Sequence, residues 1–255
     1  MKHSKPLLPL AAALLIASPL FAQLPAQAPT PSSSLTQEQV NDEILHELRM
    51  IRVLLERMSS PTPRPQVPLA PTSATITNLK GYAMGRPDAP LTMVEFTDLQ
   101  CPYCRQYITA TFEEIKKNWI DTGKLRYISR DFPLDFHAFA LPAARAARCA
   151  GEQDKFWEMR MTLMRNANLL SADYIAKTAS ELKLDQKAFG ACAASTKYDA
   201  EIQGEMREGA RIGVGGTPTF VLGKTAPDSL DGPMITGALP YGVFDATLKQ
   251  LNGSK

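Results

Sequence analysis

Apolar positions recur in two different patterns along this chain, and the change between them divides it. From Ile44 onward, Leu48, Ile51, Leu55 and Met58 return at spacings of four and three, with Leu45, Val53 and Leu54 widening the stripe. This is a heptad seam on one amphipathic helix, expected over residues 35–59. Its start is marked by "LTQEQV", where Thr36 and Gln39 suit a capping box and Leu35 and Val40 a hydrophobic staple. After a proline-rich segment the pattern becomes globular from Ile76 to Leu251. "LTMVEFT" (91–97) is an apolar, β-branched run fit for a buried strand. A helix is expected over 104–123, stopped by Gly123, then a strand over 124–132. Several helices follow within about 138–195, and another over about 198–212. Strands at 217–223 and 234–239 and a closing helix from Tyr241 complete the order. The succession predicts an α/β fold with a mixed sheet and a right-handed βαβ unit at its start.

The N-terminus changes the domain picture. Lys2 and Lys5 precede an apolar stretch from Leu7 to Phe21 and then small residues, the layout of a signal peptide over 1–22, cut after Ala22. Pro9 and Pro19 interrupt the stretch, which is short for a membrane span; an uncleaved anchor is the competing reading. Residues 23–34, "QLPAQAPTPSSS", read as a disordered lead-in. The segment 60–75 is a proline-rich linker, stiff and extended in expectation. A helix held off by such a spacer must bury its stripe elsewhere. Association of copies through residues 36–59 is therefore expected, against folding back onto the globular domain.

Charge narrows the partners. Loss of residues 1–22 removes two lysines and no acid, which leaves 26 basic residues facing 26 acidic ones. A neutral chain offers no global attraction to nucleic acid or anionic lipid, so no nucleic-acid partner is expected. Export to the periplasm or cell envelope puts the four cysteines, Cys101, Cys104, Cys149 and Cys192, where disulfides persist.

Two of them lie in "TDLQCPYCRQYI", at the junction of a strand and a helix. Cys101 is placed as the N-cap, and Pro102 as the first helical residue, where a missing N–H does no harm. Unpaired N–H groups and the helix dipole favour a thiolate at Cys101, whose pKa should fall below about 8.5. Cys104, one turn in and less exposed, is suited to close a disulfide with it. A zinc site would need two more ligands at workable spacing, and neither a second CxxC nor paired histidines supply them. No metal or cofactor is expected. "LGKT" (222–225) lacks the glycine of a phosphate loop, since Pro218 stands there. "GARIGVGG" leaves a helix instead of entering one. His137 is read as a packed or helix-starting residue.

CPYC after "VEFTD", together with "GVGGTPTF" (213–220) and "AARCAGEQDKFWEM" in the helical block, resembles the DsbA-like thioredoxin-fold family over residues 80–251. The resemblance implies a thioredoxin-like fold with an inserted helical domain, a cis peptide at Thr217–Pro218, and thiol–disulfide exchange with exported cysteine-containing proteins. A membrane redox partner, DsbB-like or DsbD-like, would recycle the pair. Thr217 would border the cysteines and offer main-chain bonds to an extended client segment. Glu95 falls where the family places a buried acid, there to shuttle protons or raise a thiol pKa, with Lys124 or Arg126 as guessed counter-charges; a solvent-facing strand glutamate is the alternative. In relatives, residues similar to Cys149 and Cys192 form a second, structural disulfide; two separate buried thiols are the alternative here.

Pro102-Tyr103 with Thr217 resembles the DsbG-type pairing, and an N-terminal oligomerisation helix resembles DsbG- and ScsC-like members. The expected activity is that of an exported oxidase or isomerase. Its rivals are a peptide-binding chaperone of the same fold, or a copper-binding envelope protein using the Cys101 and Cys104 thiolates.

Overall fold

The computed structural model describes residues 36–59 and 73–253. The signal peptide, the lead-in, Leu35 and linker residues 60–72 lie outside the described residues. The chain divides into two compact units, residues 1–65 and 66–255. In the first, helix α1 (Gln37–Ser59) opens on the capping box read from the sequence. The Thr36 N–H donates to Gln39 Oε1 at 2.9 Å, and the Gln39 N–H to Thr36 Oγ1 at 3.3 Å. Its apolar stripe stands exposed, Leu48 and Leu55 by more than half.

The second unit is built on six strands: β1 (Ser73–Ile76), β2 (Tyr82–Met84), β3 (Leu91–Thr97), β4 (Leu125–Asp131), β5 (Thr219–Lys224) and β6 (Leu230–Thr236). Their order is β1-β6-β5-β3-β4-β2. Only β3 and β4 pair parallel; all other neighbours are antiparallel. The pleat sends alternate residues of β3 to opposite faces. Met93 joins Tyr127, Phe220 and Phe244 in a large core on one face, while Val94 and Phe96 join Ile76, Ile128 and Val221 on the other. By the same alternation Glu95 falls on the Met93 face.

Between β3 and β4 run α2 (Pro102–Ala110), the single turn α3 (Phe112–Ile115) and a π-helical turn at Lys116–Ile120. The one helix expected over 104–123 is thus three pieces. The break falls at Thr111, whose backbone leaves helical geometry while its hydroxyl donates to the Leu239 carbonyl at 3.0 Å. Gly123 ends the segment at φ +74°, as its freedom from a Cβ permits.

The inserted block holds α4 (Ala140–Gly151), α5 (Phe156–Arg165), α6 (Ala172–Glu181) and α7 (Gln186–Ala193), followed by α8 (Asp199–Arg211). The closing helix is α9 (Tyr241–Gly253). Three strand readings need correction. The last strand is 230–236, not 234–239, because Asp231-Gly232-Pro233 reads as a turn by residue type yet pairs with β1. A Cβ on Gly232 would lie 1.9 Å from the Leu222 carbonyl oxygen, so only glycine fits there. The globular domain starts at Ser73 instead of 76, as Ala74 and Ile76 turn inward on a strand too short to show beside its prolines. β2 was not anticipated: three residues between Gly81 and Gly85, both at positive φ, carry no period.

Candidate active site

The end of β3 passes through Asp98-Leu99-Gln100 into α2, and this turn sets the geometry around Cys101. The Cys101 N–H donates to the Asp98 carbonyl at 3.1 Å, and the Cys101 carbonyl accepts from Arg105 N–H at 3.0 Å as the first helical bond. Cys101 is therefore the N-cap, in extended geometry, with Pro102 at the first helical position. Its sulfur donates to the Thr217 carbonyl at 3.4 Å, across from the cis peptide Thr217–Pro218 that leads into β5. Tyr103 projects outward, 62% exposed.

The two sulfurs have opposite electrostatics. Cys101 is held down at about 6, first because the Cys104 thiol donates to it, helped by Thr217 and the N–H groups of Cys104 and Tyr103 against partial burial. Cys104 is fully buried and pushed well above its ordinary value, chiefly by desolvation, then by the nearby Cys101 sulfur and the charge of Glu95. Both sulfurs are free thiols in this structure. One turn of helix thus separates an acidic thiol from one that keeps its proton.

Glu95 lies fully buried beneath α2 on the Met93 face. It accepts hydrogen bonds from the Tyr127 hydroxyl and from Arg160 Nη2. Arg160, itself 1% exposed, reaches down from α5 and also donates to Ser129 Oγ at 2.9 Å. The counter-charge is therefore Arg160, and not Lys124 or Arg126; Lys124 sits 5.8 Å over the Trp119 ring. The sequence reading missed it because Arg160 lies 65 residues from Glu95 and looks like an arginine of an ordinary amphipathic helix.

Asp98 was missed as well. Buried three residues before Cys101, its carboxylate accepts from the N–H groups of Gln100 (2.7 Å) and Leu134 (2.9 Å) and pairs with His137 Nδ1 at 2.7 Å. Gln100 Oε1 takes the Phe139 N–H at 2.7 Å. These bonds lace the 134–139 loop to the turn before Cys101. His137 lies in the turn before α4, its carbonyl accepting from the Ala140 N–H at 3.1 Å, and Phe139 is the N-cap of that helix. Phe136, in the same loop, is 78% exposed.

A second buried charge cluster joins α4 to β4 and α8. Arg148 Nε and Nη2 bind Asp131 and Glu205, each at 2.6 Å, and burial beside Asp131 raises Glu205 to about 7. Nearby, Cys149 and Cys192 are joined in a disulfide linking α4 to α7. Glu152 Oε1 lies 3.1 Å from Cys192 Sγ. Among the described residues these three make the one group with metal-ligating character, and its sulfurs are bonded to each other.

The comparisons agree with this geometry. Residues 77–232 match the thioredoxin family profile. The chain belongs to the thioredoxin family, on its DsbA-like branch. Among solved structures it is similar to alpha-DsbA1 of Wolbachia pipientis, with a TM-score of 0.61 and 25% identity over 67% of this chain and 90% of that one. It is also similar to oxidised BdbD of Bacillus subtilis, with a TM-score of 0.58 and 19% identity over 71% and 100%. Curated relatives include the Na(+)/H(+) antiporters NhaA 3 of Salinispora tropica (34% identical over 56% of this chain) and NhaA 1 of Mycolicibacterium gilvum (32% over 64%). The matches span 22% and 27% of those proteins. No helix among the described residues is long and apolar enough to cross a membrane.

Proposed function

We propose that this protein is an exported thiol–disulfide oxidoreductase acting on cysteine-containing proteins through Cys101 and Cys104. The observation that carries the reading is the asymmetry of the pair: Cys101 at about 6 on the helix cap, Cys104 buried and raised. In the oxidised state a client thiolate attacks Cys101 Sγ, breaking the Cys101–Cys104 bond and leaving a mixed disulfide. A second client thiolate then attacks the client sulfur of that bond, and Cys101 departs as the thiolate its site stabilises. The client loses two electrons and two protons, and the pair gains them. A membrane redox partner would carry them away. In the reduced state Cys101 attacks a client disulfide, and return attack by another client thiol isomerises it with no net redox change.

The remaining site residues have supporting roles in this reading. Pro102 lets the helix open at the cysteine, and Tyr103 with Phe136 presents apolar surface to an unfolded client. Thr217 and Pro218 offer backbone to an extended client strand. Burial keeps Cys104 protonated, with the nearby Cys101 sulfur and then the charge of Glu95, itself held by Arg160, adding to the effect. Residues 1–22 would direct export, and α1 would join copies so that several sites act on one client. The test is insulin reduction and refolding of scrambled ribonuclease. Cys101→Ser should abolish both, and retained activity would remove Cys101 from the mechanism.

A further inference from the structure

Asp98 touches both cysteines through its backbone and the 134–139 loop through its side chain, and the exchange chemistry assigned to the site uses neither contact. Its carbonyl accepts the Cys101 N–H at 3.1 Å, and its own N–H bears on the Cys104 sulfur. The buried carboxylate is divided between two segments. Oδ1 accepts from Gln100 N–H at 2.7 Å, inside the turn that delivers Cys101 to the helix cap. Oδ2 accepts from Leu134 N–H at 2.9 Å and meets His137 Nδ1 at 2.7 Å. The torsion that turns an aspartate carboxylate is broad, with no sharp well of its own, so these bonds hold its plane. One oxygen on each segment makes the carboxylate a clamp on the turn before Cys101.

His137 is the side-chain donor in this clamp. A carboxylate oxygen accepts, so the shared proton belongs to Nδ1 in the neutral ring as in the imidazolium. Nε2 makes no hydrogen bond among the described residues, so the ring's one polar tie is to Asp98. The His137 side chain is 17% exposed and the Asp98 side chain 0%, which shields the bond from water. Without Nδ1, Oδ2 keeps only the Leu134 N–H, and the carboxylate is freer to rotate away from Gln100. Cys101 feels such a rotation. Its thiolate is stabilised by the Cys104 thiol, by Thr217 and by the N–H groups of Cys104 and Tyr103. Hydrogen bonds weaken steeply with misalignment, so a small displacement of the turn forfeits part of that support.

We infer that His137 is a positioning residue for thiol exchange: its Nδ1–H, acting through Asp98, fixes the turn that holds Cys101 against Cys104 and Thr217. The inference rests on the thiol–disulfide reading above and adds a residue to its site. It is tested by Cys101 alkylation against pH on the reduced protein, with urea midpoints measured on the same samples, for wild type and three variants. His137→Asn places an amide N–H where Nδ1 stands. His137→Gln carries the same amide one methylene too far, and His137→Leu has no donor. His137→Leu and His137→Gln should raise the Cys101 midpoint by about one unit, the loss of one hydrogen bond to a thiolate and about a tenfold loss of thiolate. His137→Asn should return it to the wild-type value. His137→Gln, polar at a partly exposed position, decides the question if His137→Leu does not fold. Equal midpoints in all four proteins, with or without a fall in urea resistance, would overturn the inference and leave His137 a structural residue. A rise shared by His137→Asn would overturn it too. A wild-type midpoint near 8.5 instead of 6 would overturn the thiol reading and this inference together, whereas unmoved variants beside a wild type near 6 overturn this inference alone.

Discussion

Arg160 supports the site from below, and its removal should be felt in both stability and chemistry. Arg160→Met keeps an unbranched apolar stem, removes the guanidinium and leaves the fully buried Glu95 carboxylate with only the Tyr127 hydroxyl as a donor. One Glu95 oxygen already lacks a partner, so nothing else is placed to compensate. Removing one member of a buried pair costs about 3–5 kcal/mol, because the remaining charge stays desolvated. An upper bound comes from neutralisation. Protonating a carboxyl of ordinary pKa near 4.3 at pH 7 takes about 3.7 kcal/mol, which caps the loss near 4. With a urea dependence of about 2 kcal/mol per molar, the unfolding midpoint should drop by about 1.5–2 M. Tryptophan fluorescence reports it directly, since the guanidinium lies 5.5 Å over Trp157. Adding Glu95→Leu to Arg160→Met should recover most of the loss. A midpoint shift below about 0.5 M, or a double variant no better than the single, would refute the account of this pair.

The Cys149–Cys192 bridge closes a separation of 43 residues, worth about 4 kcal/mol in the chain-entropy description. Replacing both cysteines by alanine should lower stability by about 2–4 kcal/mol in urea unfolding, and a loss under about 1 kcal/mol would mean that the bridge adds nothing. Glu205 is an acid raised in the folded state to about 7, so its contribution is present in full below its unfolded value near 4.5 and lost as pH rises through 7. Urea midpoints between pH 5 and 8 should therefore fall more steeply with pH in the wild type than in Glu205→Gln; parallel slopes would contradict the raised acid.

The elements that the sequence revealed are those whose signals are local. The Thr36–Gln39 capping box, the β-branched run of β3 and the CPYC cap each depend on residues within one turn or one strand of each other, and each formed where the pattern placed it. The failures share a different cause. Thr111 breaks its helix to reach Leu239, and Gly232 is a strand residue because Leu222 approaches it; neither neighbour is local in sequence. Arg160 beneath Glu95, and His137 on Asp98, are pairings between distant elements that composition and period do not encode. Asp98, three residues before the cysteine cap, and His137 become a visible pair only once the end of β3 and the 134–139 loop lie side by side.

The most direct test of the mechanism is the rate of alkylation at Cys101 as a function of pH, followed by peptide mass on the reduced wild-type protein. The account predicts a titration midpoint near 6 at Cys101 with Cys104 unreactive over the same range. A midpoint near 8.5, that of an ordinary cysteine, would contradict it.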